Sequence, residues 1–165
     1  MVCRCHGLFG GIYCSKGEIE KAVDHYETAL GITSPFNWHD QLFWNNFYLG
    51  WLFLSEKRFG DAHAHAERAK LYTINDTYLL GRVTEQGAII WYEEHEFEEV
   101  MSEGLYAADA FENLRATEGA ERCRSLLHDI EEVMKKLVTS GEFGPGGELL
   151  EVTLLPTPVN SLFLA

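Results

Sequence analysis

Small and aromatic residues alternate along this chain in a pattern written three times. Gly10-Gly11-Ile12-Tyr13 is followed by Ala22, Tyr26 and Ala29; Leu49-Gly50-Trp51-Leu52-Phe53 by Ala62, Ala66 and Ala69; Gly87-Ala88-Ile89-Ile90-Trp91 by Val100, Gly104 and Ala107. In each copy a small residue precedes an aromatic by three positions, which places both on one helical face. Small residues then recur in the next helix, where they let two helices approach closely. A unit of this kind cannot bury its apolar face alone, so the pattern predicts stacked helix hairpins.

The periodicity predicts helices over about 3–15, 18–31, 38–55, 59–73, 77–94, 96–113 and 118–138. Ser34-Pro35 should stop the second, because the residue before proline is pushed out of helical conformation. Asn37 is the expected cap of the third helix, Asn75, Asp76 or Thr77 that of the fifth, and Thr117 with Glu118 marks the start of the last. Short turns at Lys16-Gly17, Glu56-Arg58 and Glu94-Glu96 force antiparallel neighbours. The result is three helix pairs, at about 3–36, 43–76 and 81–114, followed by a helix whose apolar stripe (Cys123, Leu126, Leu127, Ile130, Val133, Met134, Leu137) caps the stack. After Thr139 come Gly141, Gly144, Pro145, Gly146 and Gly147, a breaker cluster that predicts a flexible tail over 139–165.

Composition narrows the partners. A chain of 165 residues that is 46% hydrophobic can build one core. Its net charge of −13 argues against nucleic acid, which needs clustered Lys and Arg. No apolar stretch approaches the roughly 20 residues that cross a bilayer, so no membrane role is expected. The four cysteines, at 3, 5, 14 and 123, form no disulfide framework and read as reduced thiols, which suits a cytoplasmic setting.

The repeated positions resemble the tetratricopeptide repeat. Gly10, Tyr13, Ala22, Tyr26 and Ala29 match that family's small–aromatic–small–aromatic–Ala signature; Gly50, Phe53, Ala62, Ala66 and Ala69 match with Ala in place of the second aromatic; Ala88, Trp91, Val100, Gly104 and Ala107 form the weakest copy. The copies lie about 40 and 38 residues apart, a little longer than the 34-residue unit. The stretch Asn75 to Arg82, with Trp91-Tyr92 and Phe97-Glu98-Glu99, is also similar to arrays in fungal multidomain nucleotide-binding signalling proteins, although no phosphate-binding loop is present. The resemblance implies an all-α fold, a right-handed superhelical array of antiparallel hairpins with about seven helices, acting as a protein–protein interaction scaffold and not as an enzyme.

By the same resemblance, the concave surface is lined by Arg4, Gly7, Gly11, Cys14 and Ser15 in the first copy, Trp44, Phe47, Trp51, Leu54 and Ser55 in the second, and Arg82, Glu85, Ile89, Tyr92 and Glu93 in the third. Its aromatic middle is a natural hot spot for a hydrophobic or amphipathic protein or peptide. The expected partner-binding residues are therefore Trp44, Phe47, Trp51, Leu54, Arg82, Glu85, Ile89 and Tyr92. The third helix is apolar almost all round, so burial of these aromatics inside the monomer or under its own tail, and self-association into a homo-oligomer, are the other readings. A carboxylate clamp for an acidic chaperone terminus is not expected, because Glu85 and Glu93 stand where cationic donors would be needed.

Catalytic, metal and cofactor chemistry finds little support. Cys3 and Cys5 would face opposite ways on a helix, which separates them as zinc ligands beside His6 and Cys14. His63 and His65 are two apart and are expected to face solvent. Glu93, Glu94, Glu96, Glu98 and Glu99 read as a solvated acidic edge, and Ser34, His39 and Asp40 lack the sharp nucleophile turn of a triad.

Overall fold

The structure, a computed structural model, describes residues 2–140. Among these, seven α-helices follow one another: α1 (Val2–Ser15), α2 (Ile19–Thr33), α3 (His39–Ser55), α4 (Phe59–Lys70), α5 (Thr77–Glu93), α6 (Phe97–Asn113) and α7 (Thr117–Ser140). They form an all-α stack in which α1/α2, α3/α4 and α5/α6 are antiparallel hairpins and α7 lies along the last pair. The segment from residue 141 onward, where the tail was expected, lies outside the described residues.

The hairpin turns have one geometry. Gly17, Lys57 and His95 occupy equivalent places, and all three are left-handed. Asn37, Asn75 and Arg115 repeat the device in the turns between hairpins. Asp76 caps α5 by accepting a hydrogen bond from the Leu79 amide at 2.9 Å. The expected cap at Asn37 is corrected: α2 runs to Thr33, a 3₁₀ turn follows over Ser34–Phe36, and Asn37 closes that turn in the left-handed region, leaving Trp38 at the start of α3. The proline sits at the start of the short turn, where its missing N–H costs nothing.

Small residues bring the helices of each hairpin together. Ala22, Ala29, Ala62, Ala69, Val100 and Ala107 are all fully buried. Gly10 lets the Tyr26 ring lie directly against the α1 backbone. The main core gathers on α3, where Phe43, Phe47, Leu49, Trp51, Leu52, Phe53 and Leu54 are buried together with Val83, Ile89 and Ile90 of α5. A second cluster joins Ala88, Tyr92, Phe97 and Val100 to Ile130 of α7, and a third joins Ala107, Ala108 and Phe111 to Ala120 and Cys123. The capping helix thus uses Cys123, Leu126, Leu127, Ile130 and Val133 of its predicted stripe, whereas Met134 is exposed and the Leu137 side chain lies outside the described residues.

Candidate functional site

Equivalent positions on the first helix of each hairpin decide where the stack is filled and where it is open. The second hairpin places Phe47 and Trp51 on the face of α3 that looks along the stack. Phe47 packs on Phe43 and Trp44, and the Arg82 guanidinium of α5 lies 5.3 Å from its ring centre. Gln86 donates from Nε2 to the Phe47 carbonyl at 2.8 Å, fixing α5 against α3. The third hairpin has Glu85 and Ile89 at these positions, and α7 covers them. Arg122 grips Glu85 with two hydrogen bonds, 2.6 and 3.0 Å, while Leu126 packs against the clusters that hold Ile89 and Tyr92.

The expectation of an open aromatic groove is therefore corrected. Phe47, Trp51, Leu54, Glu85, Ile89 and Tyr92 are buried, and Trp44 and Arg82 are half-buried. The physical reason is that α5 packs over the aromatic face of α3 and α7 over that of α5. Both burial steps bring apolar area out of water, and the one carboxylate involved is matched by a guanidinium. Burial also pushes the Tyr92 hydroxyl above its ordinary pKa, with the nearby Asp129 adding to the effect.

The first hairpin is different. Where α3 carries Phe47 and Trp51, α1 carries Gly7 and Gly11, so the space between α1 and α3 is only partly filled, with Asn45 Oδ1 lying 3.3 Å from where a side chain on Gly7 would begin. A cleft of about 910 Å³ remains. Its walls are Cys3, Gly7, Gly11 and Cys14 of α1, Ile19 and Tyr26 of α2, and Gln41, Trp44, Asn45, Tyr48 and Leu52 of α3, with Arg4, Leu8, Ser15 and Ser55 along the edges. All five first-copy positions assigned to the concave surface line it, and so does Trp44. Trp44 is the single member of the expected binding set found there.

Its polar groups are largely satisfied from within. Ser15 Oγ donates to the Ile12 carbonyl at 2.8 Å, Ser55 Oγ to Leu52 at 2.7 Å, and Asn45 Nδ2 to Gln41 at 2.7 Å. The Cys14 thiol is pushed up by burial, which disfavours the reactive thiolate. Arg4 is exposed and has no ion-pair partner among the described residues. The result is an apolar, nearly neutral hollow with a single cation at its rim, in a chain of net charge −13.

The histidine pair is also corrected in part. His65 is buried, not solvent-facing. Its Nδ1 meets Asn46 Oδ1 at 2.9 Å, and because Asn46 Nδ2 already donates to Leu42, the imidazole must be the donor. Burial, reinforced by Arg68, lowers its pKa to about 4, so the ring is neutral at pH 7. His63 is half-buried between the Trp91 ring, with centroids 3.9 Å apart, and Glu94, with Nε2 to Oε2 at 2.5 Å. Cys3 is buried and Cys5 exposed, as opposite helix faces require, and no three His, Cys, Asp or Glu side chains converge on a metal-sized site among the described residues. No helix among them is long and apolar enough to cross a membrane.

No protein-family model, curated protein or solved structure compared with the chain matches it. The reading of the site rests on the cleft itself.

Proposed function

We propose that this chain is a non-enzymatic protein–protein interaction scaffold of tetratricopeptide-like hairpins, and that its binding surface is the α1–α3 cleft. The observation that carries the reading is a hollow of about 910 Å³ between two helices that their neighbours leave unfilled. Its size is within the range of pockets that enclose a large ligand or several side chains. Apolar walls with internally satisfied polar groups favour hydrophobic anchors. Trp44 and Tyr48 supply rigid aromatic surface at low entropic cost, and Arg4 orients a partner that carries a carboxylate beside its anchors. A segment presenting apolar residues at helical spacing meets these requirements.

Selection from a displayed peptide library, followed by fluorescence anisotropy, tests the proposal. Selected peptides should bind with apolar anchors and weaken at least tenfold with Gly11→Leu, which fills the cleft, while the thermal midpoint is maintained. Failure to select any peptide, or peptides indifferent to Gly11→Leu, overturns it.

A further inference from the structure

The polar pair that holds His65 recurs one hairpin earlier with a different chemistry. In the second hairpin His65 Nδ1 meets Asn46 Oδ1 at 2.9 Å, and the imidazole stacks on Phe53 with ring centroids 5.3 Å apart. About 40 residues earlier the equivalent places hold His25, His6 and Tyr13. His25 stacks on Tyr13 at 5.2 Å with the ring planes 7° apart, and its Nδ1 lies 3.0 Å from Nδ1 of His6. An imidazole nitrogen thus stands where the second hairpin has an amide oxygen. Asn46 and His65 are buried, whereas His6 and His25 are half-buried, which leaves the pair accessible from solvent.

We infer that His6 and His25 together bind one divalent transition-metal ion of the copper(II) or nickel(II) type through their Nδ1 atoms. The distance between the nitrogens selects the class. Two nitrogens 3.0 Å apart, each about 2.0–2.1 Å from one metal, subtend about 95° there, close to the right angle between neighbouring ligands of a square-planar or octahedral ion. A tetrahedral zinc ion opens the angle to about 109° and would part the nitrogens to about 3.3 Å. Imidazole suits both copper(II) and nickel(II), and a chain of net charge −13 favours a cation.

The ring centroids of the pair are 5.1 Å apart, so the imidazoles meet almost end to end. Phe9 and Tyr13 both pack on the His25 ring, which makes His25 the fixed ligand and His6 the one that turns to admit the ion. One Nδ1 carries the proton of the present hydrogen bond. That ring takes its Nε2–H tautomer on binding, which frees the second lone pair with no net change of charge. No third His, Cys, Asp or Glu side chain converges on the pair among the described residues, so water completes the coordination. Neither histidine lines the α1–α3 cleft, and the inference stands apart from what the cleft binds.

Isothermal titration of the full chain with nickel(II), from about 1 µM to 1 mM, tests it; nickel is chosen because, unlike copper(II), it does not oxidise the exposed Cys5 thiol. One ion per chain is expected, weakened roughly 10–100-fold by His6→Gln and by His25→Gln. His128→Gln, an exposed histidine on α7, should leave binding unchanged, and so should Cys5→Ser, which removes the thiol next to His6 in sequence. A second measurement needs no variant: paramagnetic nickel(II) should broaden the ring signals of His6 and His25 in the NMR spectrum of the wild-type chain before those of the other five histidines. Absence of saturable binding, binding that survives both variants of the pair, loss with Cys5→Ser or His128→Gln, or broadening that begins at another histidine would each overturn the inference.

Discussion

Two adjacent glycines should respond to the same substitution with opposite sign. Gly10 and Gly11 are neighbours on α1, and either alanine variant gains the helical propensity that glycine lacks, about 0.5–1 kcal/mol. They differ in what a methyl group would meet. At Gly10 the new carbon would lie 2.8 Å from Cε2 and Cζ and 2.9 Å from Cε1 of Tyr26. Those are ring atoms of a buried residue, against an ordinary carbon contact of about 3.5–4.0 Å. The whole ring would have to retreat, and it is already stacked on Tyr48 with centroids 5.5 Å apart. Overpacking of this kind costs about 1–3 kcal/mol, so Gly10→Ala should be destabilising by about 0.5–2 kcal/mol after the propensity gain. At Gly11 the nearest atom is the Tyr26 hydroxyl at 3.7 Å, an ordinary contact. Gly11→Ala should therefore be stabilising by about 0.5–1 kcal/mol. Urea unfolding read by circular dichroism resolves both, and a chain of this size should show roughly 2–4 °C in thermal midpoint per kcal/mol. If both alanines moved stability in the same direction, the packing of Tyr26 on Gly10 would be wrong, and with it the position of α1 over the cleft.

Two further outcomes follow from buried polar groups. His65 has a folded pKa of about 4, below the ordinary 6.5, so the unfolded chain takes up a proton that the folded chain refuses between these values. Stability from this residue is complete above pH 6.5 and lost as pH falls toward 4, by up to about 3 kcal/mol. Urea titrations at pH 7 and pH 4.5 should show this loss in the wild type and a smaller one in His65→Gln; equal losses would refute it. Arg122→Met leaves the buried Glu85 carboxylate without its guanidinium and should cost about 2–3 kcal/mol, less than a fully buried pair because the arginine is partly exposed. Adding Glu85→Gln should recover most of this in the same assay, and a double variant no more stable than the single one would refute the pairing.

The helices and their order are legible in the sequence because both depend on local pattern. Gly10, Gly50 and Ala88, with the alanines of α2 and α4, mark close approach whatever lies beyond the hairpin. The role of Asn37 is not legible locally, because a cap signal there competes with the turn that Ser34-Pro35 initiates, and an asparagine serves either role. The site was legible only in part. Concave positions could be read from the repeat, including Gly7, Gly11, Trp44 and Ser55. Which of them remain open could not, since that depends on what the next hairpin places above them. Trp51 on α3 looks like a hot spot until α5 is known to cover it. His65 raises the same difficulty from the other side: nothing local to α4 reveals that Asn46, nineteen residues earlier, supplies the acceptor that makes burial tolerable.

One pair of positions, repeated three times, therefore accounts for where this stack is closed. Large aromatics at Phe47 and Trp51 draw α5 onto α3 and are buried in the main core. The acid at Glu85 would forbid such packing, yet α7 answers it with Arg122, so a charged position becomes a docking point for the cap. Glycines at Gly7 and Gly11 provide neither apolar area nor charge, and α3 cannot close on them without losing the packing it makes with α5. The hollow is thus a consequence of a well-filled neighbour and not of a poorly formed helix. The first hairpin still joins the main core through Ala22 and Tyr26, so the cleft opens beside a packed helix pair and not beside a loose one.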